Sequence, residues 1–176
     1  MNLYYPKDRL RLAEIHAGDV IQFTGTIYTA RDAAHIRLKE MLGKGEKLPV
    51  DFRDSFIYYA GPTPTKPRQV IGSIGPTTSS RMDGFADMMT ELGVTATIGK
   101  GPRSPECTKY YIDHKILYFI TTGGCGALLS KSVQKAEEIA FFDLGPESIK
   151  KLEVAGFTMI CAIDYYGNTI FGGTKE

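Results

Sequence analysis

The sequence predicts a single α/β layered domain over residues 1–176, and three observations lead there. Strand-like runs alternate with amphipathic helical runs, the pattern of a sheet covered by helices. At 176 residues and 43% hydrophobic content the chain can bury one proper core. No linker, internal repeat or low-complexity segment divides it.

Asp8 to Phe23 carries Leu10, Leu12, Ile15, Val20, Ile21 and Phe23 around Gly18-Asp19, which reads as a hairpin or two short strands. Thr24 to Ala30 is strand-like. Asp32 can then cap a helix whose apolar positions Ala34, Leu38, Met41 and Leu42 fall at helical spacing up to Gly43. A Lys/Gly/Pro-rich connection leads to the strand Phe56 to Ala60, and Pro62, Pro64 and Pro67 hold the next residues extended.

Gln69 to Ile74 reads as a strand that turns through Gly75-Pro76-Thr77-Thr78-Ser79-Ser80 into a helix from Arg81 to Leu92. Met82, Phe85, Met88, Met89 and Leu92 share one side of that helix, a core stripe, and Gly93 supplies its left-handed C-cap. Val94 to Ile98 is a short strand before Gly99-Lys100-Gly101. Lys115 to Thr122 is a buried-looking strand, Ala127 to Ala140 an amphipathic helix, and Phe157 to Ile163 a final strand before a turn at Tyr165-Tyr166-Gly167-Asn168.

The corner at residues 75–83 is the most informative stretch. A strand that turns into a helix through glycine, proline and hydroxyl residues aims backbone N–H groups and a helix dipole at one point, which suits an anion. Arg81 adds a planar fork for a carboxylate or phosphate, and Asp83 suits the first helical turn through the dipole. Arg31 and Lys100 likewise stand at strand ends, beside a helix start and between glycines. Separated cations of this kind match the two carboxylates of a small dicarboxylate.

Gly-Pro-Thr-Thr-Ser-Ser-Arg-Met-Asp at 75–83 resembles the signature of the beta subunit, or C-terminal domain, of the iron–sulfur hydro-lyases that include class I fumarase and L(+)-tartrate dehydratase. The resemblance runs from Leu10 to Gly173 and includes Gly25 to His35, Tyr59 to Thr63, Ile98 to Gly101 and Ala162-Ile163-Asp164. It implies a three-layer β/β/α swivelling domain that closes over a site on its partner. It also implies that Arg31, Arg81 and Lys100 hold substrate carboxylates and that Thr77 exchanges the proton on carbon, with His35 orienting Arg31, touching ligand or packing. Ser79-Ser80 departs from the small alanine or glycine residues common in relatives.

The implied activity is fumarate hydration to L-malate, with tartrate dehydration and a non-catalytic small-anion-binding domain as alternatives. The implied cofactor is a [4Fe–4S] cluster on a partner alpha subunit, in a hetero-oligomer such as a dimer of alpha–beta pairs. Cys107, Cys125 and Cys161 are widely spaced without a C-x-x-C pair, so none is expected to bind metal, and Cys161 reads as a buried structural thiol. With 21 basic and 20 acidic residues, a net charge of +1, the chain suggests neither nucleic acid nor a membrane surface as partner. Its first residues lack a signal-peptide core and no run matches a membrane span, so the cytoplasm is the expected location.

Overall fold

The structure is a computed structural model and describes residues 1–172; Gly173, the last residue of the resemblance, lies outside the described residues. It is a mixed α/β fold with one seven-stranded sheet. The strands are β1 (Asn2–Tyr4), β2 (Val20–Thr29), β3 (Phe56–Tyr58), β4 (Ala96–Gly99), β5 (Leu117–Ile120), β6 (Val133–Ala140) and β7 (Ile149–Ile163). The helices are α1 (Asp32–Gly43), α2 (Ala86–Glu91), α3 (Pro105–Asp113) and α4 (Gly126–Leu129), and 3-10 segments occupy Arg9–Glu14, Ser79–Phe85, Ser130–Ser132 and Phe142–Glu147.

Strands β2 to β5 run parallel in chain order. The long β7 then pairs antiparallel with both β5 and β2, so the pairing β2-β3-β4-β5-β7 returns to β2. Successive residues of one strand therefore face two different cores. Phe56 and Tyr58 join Phe23, Phe119 and Phe157 in one cluster, whereas Ile57 and Tyr59 pack with Ala34 and Leu38 of α1, Met88 and Met89 of α2 and Tyr111 of α3 in the other. Tight aromatic contacts fill the first cluster; the rings of Phe23 and Phe56 lie 4.7 Å apart. Burying each of these side chains contributes roughly 1.5–3 kcal/mol.

Several sequence expectations hold. The helix α1 spans Asp32–Gly43, and Gly93 follows α2 at φ +69°. Met82, Met88, Met89 and Leu92 are buried, as a core stripe requires. Asp32 is not the cap of α1, however: Arg31 holds that position in extended conformation, and the Glu147 carboxylate accepts from Ala33 N at 2.8 Å.

Others are corrected. Asp8 to Phe23 is not a hairpin, since Arg9–Glu14 is a 3-10 segment and a single strand starts at Val20. Gln69 to Ile74 forms no strand; it is laced to the proline-rich stretch by Thr63, whose N–H and Oγ1 bond Ser73 O and Ser73 N at 2.9 Å each. The expected helix Ala127 to Ala140 has only α4 and one 3-10 turn, after which Val133–Ala140 is a strand paired with β7. Non-local pairing overrides local periodicity there. The run from Arg81 is also not one helix, because Ser79–Phe85 is 3-10 and α2 has 6 residues.

Candidate active site

The loops that follow the parallel strands β2, β3 and β4 meet at one edge of the sheet, the usual position for a ligand in an open parallel arrangement. Arg31 follows β2, Gly61 follows β3 and Lys100 follows β4. The 75–80 loop crosses them, with isolated bridges pairing Pro76 with Ala60 and Thr78 with Lys100.

Thr77 is held by its backbone. Its N–H donates to Tyr59 O at 2.6 Å, and its carbonyl accepts from Lys100 N at 3.2 Å. The residue is 9% exposed, and its hydroxyl has no hydrogen-bond partner among the described residues. Ser79 is fully buried; its N–H donates to Lys100 O at 2.9 Å, and its Oγ accepts from Lys100 N at 3.1 Å and lies 2.8 Å from Tyr118 Oη. The backbone donors of Thr77 and Ser79 are thus engaged within the protein, and the short α2 offers little dipole. Arg31 and Arg81 add side-chain positive charge at this corner.

The structure brings two of the three predicted cations together. Arg81 Nη2 lies 2.8 Å from Asp32 Oδ1, and Arg31 Nε lies 3.3 Å from Asp32 Oδ2 and 3.6 Å from Glu147 Oε1. Asp32 therefore bridges Arg31 and Arg81. The Lys100 side chain is exposed and forms no ion pair among the described residues. His35 sits below Arg31, fully buried, with Nδ1 3.0 Å from Arg31 O. Burial lowers its pKa from 6.5 to about 4, so the ring is neutral and Nδ1–H donates to that carbonyl, while Nε2 has no partner. His35 holds the Arg31 backbone and sits among Tyr59 and Phe85 rather than at the surface.

Sequence reasoning missed the group beneath this face. Asp83 does not serve its own helical turn; Oδ1 accepts from Arg103 Nε at 2.6 Å and Oδ2 from Ser104 N at 2.8 Å. The Arg103 side chain is wholly buried, with its guanidinium carbon 4.8–5.5 Å from the ring centres of Tyr59, Tyr111 and Tyr118. Its Nη1 donates to the hydroxyls of Tyr59 and Tyr111, each at 3.3 Å. The signal in the sequence was Ser104-Pro105, a helix cap followed by proline at the first helical position, which marks α3 and places Arg103 just before it.

The three thiols do not converge. Cys161 lies in the cluster inside the strand ring, Cys107 in the cluster under the helices, and Cys125 in the loop before α4. Burial pushes the Cys107 thiol up to about 11 and Cys161 up to about 12, which disfavours thiolate ligands. Among the described residues no three His, Cys, Asp or Glu side chains gather as a metal site, so the described residues do not fit an iron–sulfur cluster. No described helix is long and apolar enough to cross a membrane.

The chain matches the family described as Fumarase C-terminus over residues 1–174. It belongs to the fumarase C-terminus family. Within and around that family, a Methanocaldococcus jannaschii protein named provisionally as an L(+)-tartrate dehydratase beta subunit is 42% identical over 164 residues, covering 90% of this chain and 84% of the relative. The Escherichia coli L(+)-tartrate dehydratase beta subunit is 35% identical, over 94% and 83% of the two chains. Fumarate hydratase 2 of Leishmania major is 37% identical over 99% of this chain but 31% of its own length. This family member thus spans most of the beta subunits it matches and about a third of that fumarate hydratase.

Proposed function

We propose that the chain is the beta subunit of a two-subunit class I fumarate hydratase, a hydro-lyase that adds water reversibly across fumarate to give L-malate. The observation that carries this reading is the cationic strand-end face, where Arg31 and Arg81 share Asp32, and where the Lys100 ammonium and the Thr77 hydroxyl have no partner among the described residues. The similarity to fumarate hydratases and tartrate dehydratase beta subunits supports the same reading.

In this mechanism Arg31, Arg81 and Lys100 anchor the two carboxylates and set the double bond against Thr77. Hydration places hydroxide on one alkene carbon and a proton on its neighbour; Thr77 Oγ1 carries that proton, and takes it from malate in reverse. A threonine hydroxyl is a weak acid and a weaker base, so the adjacent cations are needed to stabilise its anionic form. A [4Fe–4S] cluster held by the alpha subunit would supply Lewis-acid chemistry to this site.

The face is open to water, which explains why a partner is required. The Arg81 side chain is 53% exposed, and a cavity of about 430 Å³ lined by Pro62, Ile71, Phe142 and Lys150 includes none of the four residues. At about 4 Å an ion pair is worth about 1 kcal/mol in water and about 4 kcal/mol at an effective dielectric of 20. Closure of this domain against the alpha subunit, as a three-layer swivelling unit in a dimer of alpha–beta pairs, supplies that change.

The test is anaerobic reconstitution with a cluster-bearing alpha subunit. Fumarate hydration that needs both chains and disappears in Thr77→Ala supports the reading. Preference for L(+)-tartrate, favoured by the 42% identity to the Methanocaldococcus jannaschii relative, would keep the residue roles and change the substrate. A complex inactive on both would leave a small-anion-binding domain.

A further inference from the structure

The geometry points to Arg103 as the positioning residue that holds Thr77, Arg81 and Lys100 in register for one dicarboxylate. This inference rests on the substrate site proposed above. Three independent paths lead from the Arg103 guanidinium to the three site residues. Through Asp83 it fixes the 3-10 segment two residues beyond Arg81. Through the Tyr59 hydroxyl it fixes the side chain of the residue whose carbonyl accepts from Thr77 N at 2.6 Å. Stacked against Tyr118, it lies behind the hydroxyl that donates to Gly101 O at 2.7 Å and lies 2.8 Å from Ser79 Oγ, on either side of Lys100. Its own main chain follows Lys100 by three residues.

Arginine suits this role because one rigid planar fork holds a carboxylate and two phenols in fixed directions, whereas a lysine ammonium is a compact point charge whose donors rotate freely. Stability is a poor reason to keep such a group. A buried ion pair is often matched or exceeded by apolar residues of the same volume, and Arg103 Nη2 has no hydrogen-bond partner among the described residues. What the pair provides that an apolar core would not is directional fixing of two loops, residues 77–83 and 99–104, each carrying substrate-facing side chains.

The experiment compares Arg103→Lys, Arg81→Ala and the double variant in the complete alpha–beta enzyme, assayed with fumarate, L-malate and L(+)-tartrate beside thermal unfolding. Arg81→Ala is the control for the site. Arg103→Lys is expected to raise KM about tenfold and lower kcat in the parent, because loop misplacement on the ångström scale costs up to about a hundredfold in rate. In the Arg81→Ala background its effect on KM should be clearly smaller, because the path through Asp83 no longer ends on a carboxylate anchor, while its effect on unfolding stays the same. Equal KM changes in both backgrounds, or parental KM and kcat in Arg103→Lys, would overturn the inference and leave the site intact. Unchanged KM and kcat in Arg81→Ala would overturn both. Should Arg103→Lys not fold, Asp83→Asn carries the same comparison, since its amide still accepts from Arg103 Nε but no longer accepts from Ser104 N.

Discussion

Two arginine–aspartate pairs lie a few residues apart in this chain and serve opposite ends. Arg81–Asp32 is a 2.8 Å contact with Arg81 half exposed at the strand-end face. Arg103–Asp83 is a 2.6 Å contact with the arginine side chain wholly buried under three tyrosine rings. The geometry is nearly the same and the surroundings are not. In water the outer pair contributes on the order of 1 kcal/mol or less, so Arg81 can leave Asp32 for a substrate carboxylate at little cost. The inner pair cannot dissociate without stranding a charge in the core, so it holds its loops in place.

The sharpest way to break this contrast is to remove one partner from each pair. Arg103→Met should lower stability by about 3–5 kcal/mol, because Asp83 is left charged with only Ser104 N as a donor. Chemical denaturation would show it as a large fall in midpoint. A loss below about 1 kcal/mol would mean that Asp83 reaches water or takes up a proton, and that the buried pair is not what fixes the loops.

That the inner pair went unread in the sequence while the strand-end cations were singled out has a physical cause. Arg81, Arg31 and Lys100 stand where chain direction changes, next to glycine or a helix start, and such positions are marked locally. Asp83 and Arg103 are 20 residues apart, and nothing local links them. The same division runs through the fold. The helix α1 and the short parallel strands follow from local patterns, whereas β6 looks helical because its place is set by β7, and β7 runs through Gly156 at φ +65° back to Ile149. The Ser79 hydroxyl holds the Lys100 backbone, which only the packing of Tyr118 against it reveals.

A second contrast, between buried and open polar groups, can be read from pH. Burial lowers the His35 pKa from 6.5 to about 4. The unfolded chain therefore takes up a proton below about 6.5 that the folded protein refuses until about 4. The His35 share of stability is complete above pH 6.5 and is lost as pH falls toward 4, amounting to about 3 kcal/mol over that window. In urea unfolding, the stability difference between the parent and His35→Gln should shrink by that amount from pH 7 to pH 4. A difference that stays constant would mean the ring is accessible and titrates normally.

Arg81→Ala sharpens the comparison from the other side. Its loss should fall on catalysis, about a hundredfold in kcat/KM or roughly 2.7 kcal/mol of transition-state stabilisation, with less than about 1 kcal/mol lost in folding. Equal losses in both would make the outer pair structural after all.

The smallest expected effect tests where the two regions join. Ser79 Oγ touches the outer face through Lys100 N and the inner group through Tyr118 Oη. Ser79→Ala removes both contacts but leaves Lys100 N bonded to Thr77 O at 3.2 Å, so the cost to folding should be about 1 kcal/mol. Gly99 lies against the same hydroxyl, and a Cβ there would collide with Ser79 Oγ. Gly99→Ala should therefore destabilise the parent more than it destabilises Ser79→Ala, where part of the obstruction is gone. Equal penalties in the two backgrounds would show that the Tyr59 ring, 3.1 Å from that Cβ position, is the real obstacle. The joint between the loops would then depend on the tyrosine and not on the serine.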